Sequence, residues 1–134
     1  MAQAEQLKEQ LKQMVNKAER SLLAAQKHLL DHDYDFAVSR AYYAVFYLME
    51  ALLLTQDVVV STHAGIINHF SQHFIKTNIF PKTFSKAIGR LFRERQMGDY
   101  EFSMVIDPKD AQEDVATARE LLEAMKIYLE KGPP

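Results

Sequence analysis

Several basic and aromatic side chains recur at helical spacing, a pattern that could hold phosphate groups and stack on nucleotide bases. Arg40 interrupts a nearly continuous apolar segment and shares one helix face with Tyr43 and Tyr47. Because a buried charge without a partner is costly, Arg40 must form an ion pair, line a cleft or reach a subunit surface. A structural pair with Glu50 or Asp99 and a role in binding an anionic ligand both fit. The tyrosines could stack on a base, although rings at this spacing also fill protein cores.

A second basic pattern lies at residues 76–95. This segment has six basic residues and one acidic residue, so its net charge is +5 in a chain whose total is −2. Lys82, Lys86, Arg90 and Arg93 recur every three or four residues and form a basic stripe. Such a stripe is either a solvated helix face or a surface for RNA or an acidic partner. Arg90 and Arg93 are therefore candidate ligand-binding residues.

His63 follows Ser61 and Thr62, either of which can cap a helix that begins at His63. The free backbone N–H groups at a helix start can bind phosphate. His63 is therefore a candidate ligand-binding residue, or simply a first-turn residue. His69 and His73 have the i, i+4 spacing of a two-histidine metal site, but no acid or third histidine is near in sequence. We expect neither a metal nor a cofactor.

The elements that position these residues are predicted to be helices. The 134 residues include 4 glycines, 4 prolines and no cysteine, and 48% of the residues are hydrophobic. So few chain breakers argue for long helices and against a many-turned β fold. Residues 1–134 are enough chain for one domain. We predict an all-α fold, an antiparallel up-and-down bundle of four main helices plus one shorter helix.

Apolar residues at spacings of three and four locate the helices along the chain. The second helix is apolar nearly all round, which predicts that it lies at the centre of the bundle. Asp33 and Asp107 are expected to cap the helices that follow them, and Gly98 is expected to end the fourth helix before a loop over Asp99–Ile106. The predicted helices are Ala4–Leu30, Tyr34–Thr55, the shorter His63–Lys76, a fourth from near Pro81 to Gly98, and a last one from Pro108 to just before Gly132.

The charge and the apolar runs argue against a strongly basic nucleic-acid-binding protein and against a membrane protein. A net charge of −2 provides no global basic field. The polar N-terminal sequence MAQAEQLKEQ lacks the apolar core of a signal peptide. The longest apolar run, Ala41–Leu54, is shorter than the roughly 20 residues that span a bilayer. We therefore expect a cytoplasmic protein without membrane association.

Four short motifs occur in order within this helical pattern. They are SRAYYA at 39–44, THAG at 62–65, FIKT at 74–77 and RQMGDY at 95–100. Their order and spacing resemble the HEPN domain family (higher eukaryotes and prokaryotes nucleotide-binding), in its small stand-alone prokaryotic branch. The resemblance covers about residues 16–130. It implies a helical bundle, usually dimeric, related to the C-terminal domain of kanamycin nucleotidyltransferase.

The same resemblance implies partners and an activity. Many members of the family accompany a separate minimal nucleotidyltransferase, often as a toxin–antitoxin pair. Active members are metal-independent RNases whose motif is an arginine followed, after four to six residues, by a histidine, and two copies of the motif meet across the dimer. An arginine there can stabilise the phosphate charge that grows in the transition state, and a histidine can move a proton near neutral pH.

This sequence has an arginine, Arg95, at the start of that motif but Tyr100 where the histidine stands. Because a phenol ionises only near about pH 10, a tyrosine is a poor general base, although it can donate a hydrogen bond or stack on a base. Arg95 and Tyr100 are the candidate catalytic residues. Asp99 is a candidate ligand-binding residue, or simply the ion-pair partner of Arg95. On an unbroken helix Arg95 and Tyr100 would lie about 140° apart, so we expect them to converge only if Gly98 breaks the helix.

Two functions are consistent with these residues. The first is a dimeric HEPN-type module that binds a nucleotide or an RNA phosphate near Arg95 and works with a minimal nucleotidyltransferase. The alternative is a metal-independent endoribonuclease in which Arg95 stabilises phosphoryl charge while Tyr100, or a distant residue such as His63, moves protons. A third possibility is a bundle that serves only as an assembly partner.

Overall fold

The computed structural model describes residues 2–100, 102 and 105–131, and this part of the chain forms five α-helices. The predicted all-α bundle of four main helices and one shorter helix is confirmed. A π-helical turn at Ser71–Ile75 continues the shorter helix almost to its predicted end at Lys76. The helices are α1 (Ala2–Leu30), α2 (Tyr34–Leu54), α3 (His63–Phe70), α4 (Lys82–Tyr100) and α5 (Pro108–Lys131).

The central helix is α2, as its sequence predicts. It contacts α1, α3, α4 and α5. Ala37, Ala41, Ala44 and Ala51 are fully buried, and their small side chains let the neighbouring helices approach closely. Leu48, on the same stripe, is also fully buried. Removal of this apolar surface from water is the main driving force for assembly of the bundle.

Side-chain contacts between α1 and α2 show that the two helices run antiparallel. Ser21 on α1 donates a hydrogen bond to the backbone oxygen of Arg40 at 2.7 Å, and Lys17 Nζ lies 4.9 Å from the ring centroid of Tyr47. Lower-numbered residues of α1 therefore meet higher-numbered residues of α2. The turn between the helices contains His32 in the left-handed region, with a φ of 63°, which suits a tight reversal after a helix end.

The sequence predicts that the fourth helix ends at Gly98, but the helix continues to Tyr100. Gly98 faces α2, where a Cβ atom would lie 3.5 Å from the Cβ of Asp35 and 3.0 Å from the end of the Ile106 side chain. The absence of a side chain thus permits close approach between chain segments and does not mark a helix end.

Two predicted features fall partly or wholly outside the described residues. The loop predicted for Asp99–Ile106 begins only after Tyr100, and residues 101, 103 and 104 lie outside the described part of the chain. Gly132, the predicted stop of the last helix, also lies outside it, and α5 is described as far as Lys131.

Thr62 and Asp107 cap helices as predicted, whereas Asp33 does not. Thr62 Oγ1 accepts a hydrogen bond from the N–H of Gly65 at 3.0 Å, and Asp107 Oδ1 accepts one from the backbone N–H two residues on at 2.8 Å. Asp33 precedes α2 but makes no side-chain cap hydrogen bond, because its backbone (φ −91°, ψ 73°) is not in the extended region typical of capping residues. Its carboxylate instead lies 3.9 Å from His28.

By length and composition, α2 is apolar enough to cross a membrane. The helix that qualifies is Tyr34–Leu54, which is longer than the apolar run Ala41–Leu54, so the expectation that this segment is too short to span a bilayer is wrong. In the bundle, 72% of its apolar window is buried against other helices. The core helix of a soluble bundle meets the same criteria, so the length of α2 does not by itself indicate a membrane span.

Two glycines provide a test of packing with opposite expected signs. At Gly65 an added Cβ would lie 2.7 Å from Thr62 Oγ1 and closer still to Val60, so Gly65→Ala should destabilise the protein by about 1–3 kcal/mol. At Gly89, inside α4, the nearest atom is the flexible end of Arg93 at 3.3 Å, and Gly89→Ala should stabilise by up to about 1 kcal/mol. Urea unfolding followed by circular dichroism measures both. Equal effects of the two variants would contradict the described packing at Gly65.

Candidate functional site

The guanidinium of Arg95 lies among the rings of Tyr42, Tyr43 and Tyr100. Its Cζ is 5.7, 5.2 and 5.7 Å from the three ring centroids, within the range of cation–π attraction. Nη2 of Arg95 donates a hydrogen bond to Tyr43 Oη at 2.8 Å. Only 12% of the arginine side chain is exposed. These four residues and Asp99, all on α2 and α4, are called the Arg95 cluster below.

Asp99 supplies the counter-charge within the cluster. Its Oδ2 lies 2.8 Å from Arg95 Nε. The contact is an ion pair and not an aligned hydrogen bond, because the buried Nε–H has no acceptor along its direction. The ion pair that the sequence suggests for Asp99 is therefore present. A bound phosphate would compete with this carboxylate for the guanidinium.

Arg95 and Tyr100 approach each other although the helix is unbroken. The expectation that they converge only if Gly98 breaks the helix is wrong. The long arginine side chain spans the angle between the two positions and brings Cζ to within 5.7 Å of the Tyr100 ring centroid. Tyr100 is 68% exposed, so much of its ring remains open to a ligand or to another chain.

His63, at the start of α3, contacts Tyr42 of the cluster. Its Nδ1 is 2.9 Å from Tyr42 Oη, and its ring stacks on Phe46 with the centroids 4.2 Å apart. Burial, and secondarily the positive charge of Arg95, lower the pKa of His63, so the ring is neutral at neutral pH. Burial raises the pKa of Tyr42 well above its ordinary value, so the phenol keeps its proton.

The hydrogen-bond network assigns the tautomer of His63. Tyr42 is fully buried, and within the described residues its hydroxyl has one partner, so it donates its proton to His63 Nδ1. A neutral imidazole that accepts a hydrogen bond at Nδ1 carries its own proton on Nε2. His63 therefore offers an N–H donor suited to a phosphate oxygen and does not offer a free base.

Arg40 lies against the same tyrosine as Arg95, with its Cζ 4.8 Å from the Tyr43 ring centroid. Within the described part of the chain, no carboxylate forms a salt bridge with Arg40. The structural pair suggested with Glu50 or Asp99 is therefore wrong. Glu50 lies ten residues along the same helix, about 15 Å away, and Asp99 pairs with Arg95. Arg40 remains a cation that an anionic ligand could use.

The structure does not place Arg90 and Arg93 in the Arg95 cluster. The guanidinium of Arg90 faces α5 and lies 3.0–3.5 Å from carboxylate oxygens of four acidic residues. Its charge is therefore neutralised by protein groups, while Arg93 is exposed on α4. Both remain sequence-based candidates that the cluster geometry does not support. The four acidic partners of Arg90 are Glu94, Asp110, Glu113 and Asp114.

The Arg90 network predicts an unusual pH dependence of stability. Asp114 is 1% exposed, and its pKa is raised by burial, then by the hydrogen bond and charge of Glu94, against the opposing effect of Arg90. The folded state thus binds the Asp114 proton more tightly than the unfolded state, and the stability this provides at acidic pH is lost as the pH rises through the folded-state pKa. The Asp114→Asn variant has no carboxyl at this position and is not subject to this loss. As the pH rises from about 4 to about 8, its free energy of unfolding should therefore increase relative to that of wild type by about 1.4 kcal/mol or more.

Chemical denaturation at several pH values measures this difference. Asp110→Asn, at a half-exposed carboxylate of the same network, is the matched control and should keep the pH dependence of wild type. Parallel stability curves for wild type and Asp114→Asn would mean that folding does not raise the pKa of Asp114.

Tyr42 and Phe46 take part in the site, although from the sequence they could equally stack on a base or fill the core. Both are buried, and they fix the ring of His63 by a hydrogen bond and a stacking contact. The sequence feature that points to Tyr42 as a site residue is its place in the SRAYYA motif, and Phe46 follows one helical turn later. Their helical spacing alone could not separate this role from ordinary core packing.

The fold and the cluster together define a small all-α domain with a candidate phosphate-binding arginine. The family described as HEPN domain matches residues 11–128 of the chain. The chain belongs to the HEPN domain family.

The chain is also similar to curated proteins over most of its length. A protein of Methanocaldococcus jannaschii named “Putative toxin” is 35% identical over 122 residues, which are 91% of this chain and 83% of that protein. A “UPF0332 protein” of Thermotoga maritima is 33% identical over 94 residues, 70% of this chain and 71% of that protein. A second “Putative toxin” of M. jannaschii is 32% identical over 94 residues, 70% of each chain.

Proposed function

We propose that this HEPN domain binds a nucleotide or an RNA phosphate at the Arg95 cluster. The observation that carries the proposal is the Arg95 side chain, which is only 12% exposed and whose guanidinium is held by Tyr43 Oη and three aromatic rings. A guanidinium in a partly desolvated site interacts strongly with phosphate oxygens. The exposed ring of Tyr100 provides a surface on which a base can stack.

The chemistry of the cluster favours binding over cleavage. Neither of the two residues that could move a proton is well suited to act as a base. Tyr100 is a phenol, and His63 carries its proton on the nitrogen that Tyr42 leaves free. His63, whose ring centroid lies 5.8 Å from those of Tyr42 and Tyr43, instead adds a neutral N–H donor to the site, which suits an anionic ligand that is held and not cut.

The relatives support a place for this module in a toxin–antitoxin system. Two of the similar proteins are named “Putative toxin”. We propose that this chain acts as the toxin-like component in the cytoplasm, with a separate minimal nucleotidyltransferase as its partner. Pull-down of a tagged chain from its own host, followed by mass spectrometry, tests the partner directly.

We further propose that the functional unit is a homodimer. Large apolar side chains are exposed around the C-terminal end of α4 and the nearby start of α2. A second copy covering them would remove this surface from water and bring two Arg95 clusters together. Sedimentation velocity tests this, since a monomer at micromolar concentration would contradict it. The exposed side chains are Phe36, Met97, Tyr100, Phe102 and Val105.

The alternative function is a metal-independent endoribonuclease. It is favoured by the 5.7 Å approach of the Arg95 guanidinium to Tyr100, the position that aligns with the histidine of the family motif. Arg95 would stabilise the charge on the phosphoryl group while Tyr100 moves a proton during attack by the RNA 2′-hydroxyl.

One experiment separates the two functions. The purified protein is titrated into a labelled single-stranded RNA at low salt with EDTA present, and the RNA is then examined for cleavage. Saturable, salt-sensitive binding with intact RNA supports the binding module. Cleavage in EDTA supports the ribonuclease, and the absence of both binding and cleavage would overturn both proposals.

A further inference from the structure

A groove between α1 and α2 is lined, among the described residues, by three cations and no acid. Its lining residues include Lys17 and Arg20 from α1 and Arg40 from α2, together with Tyr47, and its volume is about 210 Å³. Within the described part of the chain none of the three cations forms a salt bridge. Three unneutralised cations around one groove are a notable local field in a protein of net charge −2.

Two acidic side chains near the groove could offset its positive charge. Glu50, one turn beyond Tyr47, is close enough to Lys17 for the lysine charge to lower its pKa, although burial raises that pKa more strongly. Within the described residues Glu50 forms no salt bridge with Lys17, whose Nζ lies over the Tyr47 ring instead. Glu19, next to Arg20, is paired with Lys126 on α5. Glu50 and Glu19 therefore offset the positive charge of the groove only in part.

Aromatic rings join this groove to the Arg95 cluster. Lys17 Nζ lies 4.9 Å from the Tyr47 centroid, the Tyr47 and Tyr43 centroids are 5.8 Å apart, and Arg95 Cζ is 5.2 Å from the Tyr43 centroid. Arg40 Cζ is 4.8 Å from the same Tyr43 centroid, so the two guanidinium carbons are at most 10.0 Å apart. The two guanidinium groups are therefore close enough to contact phosphates of the same strand.

We propose that the groove of Lys17, Arg20, Arg40 and Tyr47 binds further phosphates of the strand whose first phosphate is held by Arg95. The ligand of the domain is then a single-stranded oligonucleotide of several residues and not a mononucleotide. This inference rests on the proposed function of the Arg95 cluster. Alternation of cations with partly buried tyrosine rings favours RNA over an acidic polypeptide, because bases stack on aromatic faces whereas carboxylate side chains use only the charge.

The register of the two helices fixes this groove. The Ser21 hydroxyl, which also lines the groove, donates to the backbone oxygen of Arg40 at 2.7 Å. This hydrogen bond holds the α1 cations opposite the α2 cation and tyrosine. The groove is thus a fixed feature of the bundle, so the protein loses little conformational entropy when a strand binds.

The test compares two ligands, AMP and a labelled single-stranded RNA of about ten nucleotides, by fluorescence anisotropy or calorimetry. The variants are Arg20→Gln and the double variant Lys17→Gln/Arg20→Gln, both of which leave the Tyr43 contacts untouched. We expect the double variant to weaken RNA binding by at least about tenfold and Arg20→Gln alone to weaken it by about threefold. For both variants, AMP binding should stay within about twofold of wild type. The slope of log K against log salt should fall in magnitude by about 1.4 for two lost phosphate contacts.

Arg119→Gln, at an exposed arginine of α5 outside the groove, is the matched control and should bind both ligands as wild type does. Unchanged RNA binding by the double variant would overturn the groove assignment while leaving the Arg95 site standing. An equal loss of AMP and RNA binding would also overturn it, because the groove would then act only through the cluster. Equal displacement of the RNA by poly-glutamate of the same charge would mean that the groove binds acidic polypeptide. Failure of wild type to bind either ligand would overturn the proposed function, and this inference with it.

Discussion

Replacement of Arg95 by alanine is expected to weaken binding of single-stranded RNA by about 10- to 100-fold. A hydrogen-bonded contact to a charged group contributes about 1.5–3 kcal/mol, and about 1.4 kcal/mol corresponds to a factor of ten in affinity. Arg95 is the one residue that touches Tyr42, Tyr43, Tyr100 and Asp99 at once, so its loss removes the cation and the group that organises the cluster. Fluorescence anisotropy at low salt measures the effect.

Two further variants make the Arg95 result specific. Arg95→Lys keeps the charge but loses the planar fork that binds Tyr43 Oη and a phosphate together, so its affinity should lie between those of wild type and Arg95→Ala. Arg119→Ala removes an exposed arginine from α5 and should bind as wild type does. Because Arg95 is largely buried, the melting temperature of each variant is recorded alongside its affinity. Wild-type affinity in a folded Arg95→Ala variant would contradict the proposed site.

Asp99→Asn is expected to have the opposite effect at the same site. The Asp99 carboxylate lies 2.8 Å from Arg95 Nε and competes with a bound phosphate for the guanidinium. Neutralising it should tighten RNA binding by a few-fold, since a partly exposed ion pair contributes up to about 1 kcal/mol. Weaker binding would instead show that Asp99 is needed to hold Arg95 in its binding orientation.

Leu48→Ala is expected to lower the free energy of unfolding by about 2–5 kcal/mol, which is a large share of the stability of a domain this size. Leu48 is fully buried at the centre of α2, the helix that contacts all four others, so the cavity it leaves cannot collapse without moving several helices. Urea denaturation followed by circular dichroism gives the value. The slope against urea should not change if the loss is confined to the folded state.

Leu23→Ala is the matched control for this core variant. Leu23 is 52% exposed on α1, and its truncation should change the free energy of unfolding by no more than about 0.5 kcal/mol. Similar effects at Leu48 and Leu23 would contradict the central position of α2. A large effect at Leu23 alone would mean that this face of α1 is covered by another chain in solution.

The helices themselves could be predicted from the sequence because each depends on local spacing. Apolar residues at three- and four-residue intervals fix the face of a helix, and the all-round apolar character of Tyr34–Leu54 marks it as central. The caps Thr62 and Asp107 were likewise predictable, since a cap involves residues within one turn of each other. Gly98 misled the prediction because a glycine at a helix end and a glycine at a close contact look the same in sequence.

The Arg95 cluster could be predicted only in part. Arg95, Asp99 and Tyr100 lie within one short motif, and their closeness follows from the chain itself. The contact of Arg95 with Tyr43 joins residues 52 positions apart and depends on how α4 is set against α2. Among the described residues no carboxylate forms a salt bridge with Arg40, and this too depends on the tertiary structure, because the sequence can suggest partners but cannot exclude them.

The sequence by itself determined the helices, the central place of α2 and the motif residues, because these follow from periodicity and from short-range contacts. The tertiary structure alone decided which charges are neutralised. It directs Arg90 to four carboxylates, gives Arg95 one carboxylate and aromatic neighbours, and sets Arg40 without an acid opposite the α1 cations within the described residues. Coulomb interactions and desolvation act over a few ångströms through space. The register and facing of the helices therefore determine the chemistry that each arginine has available.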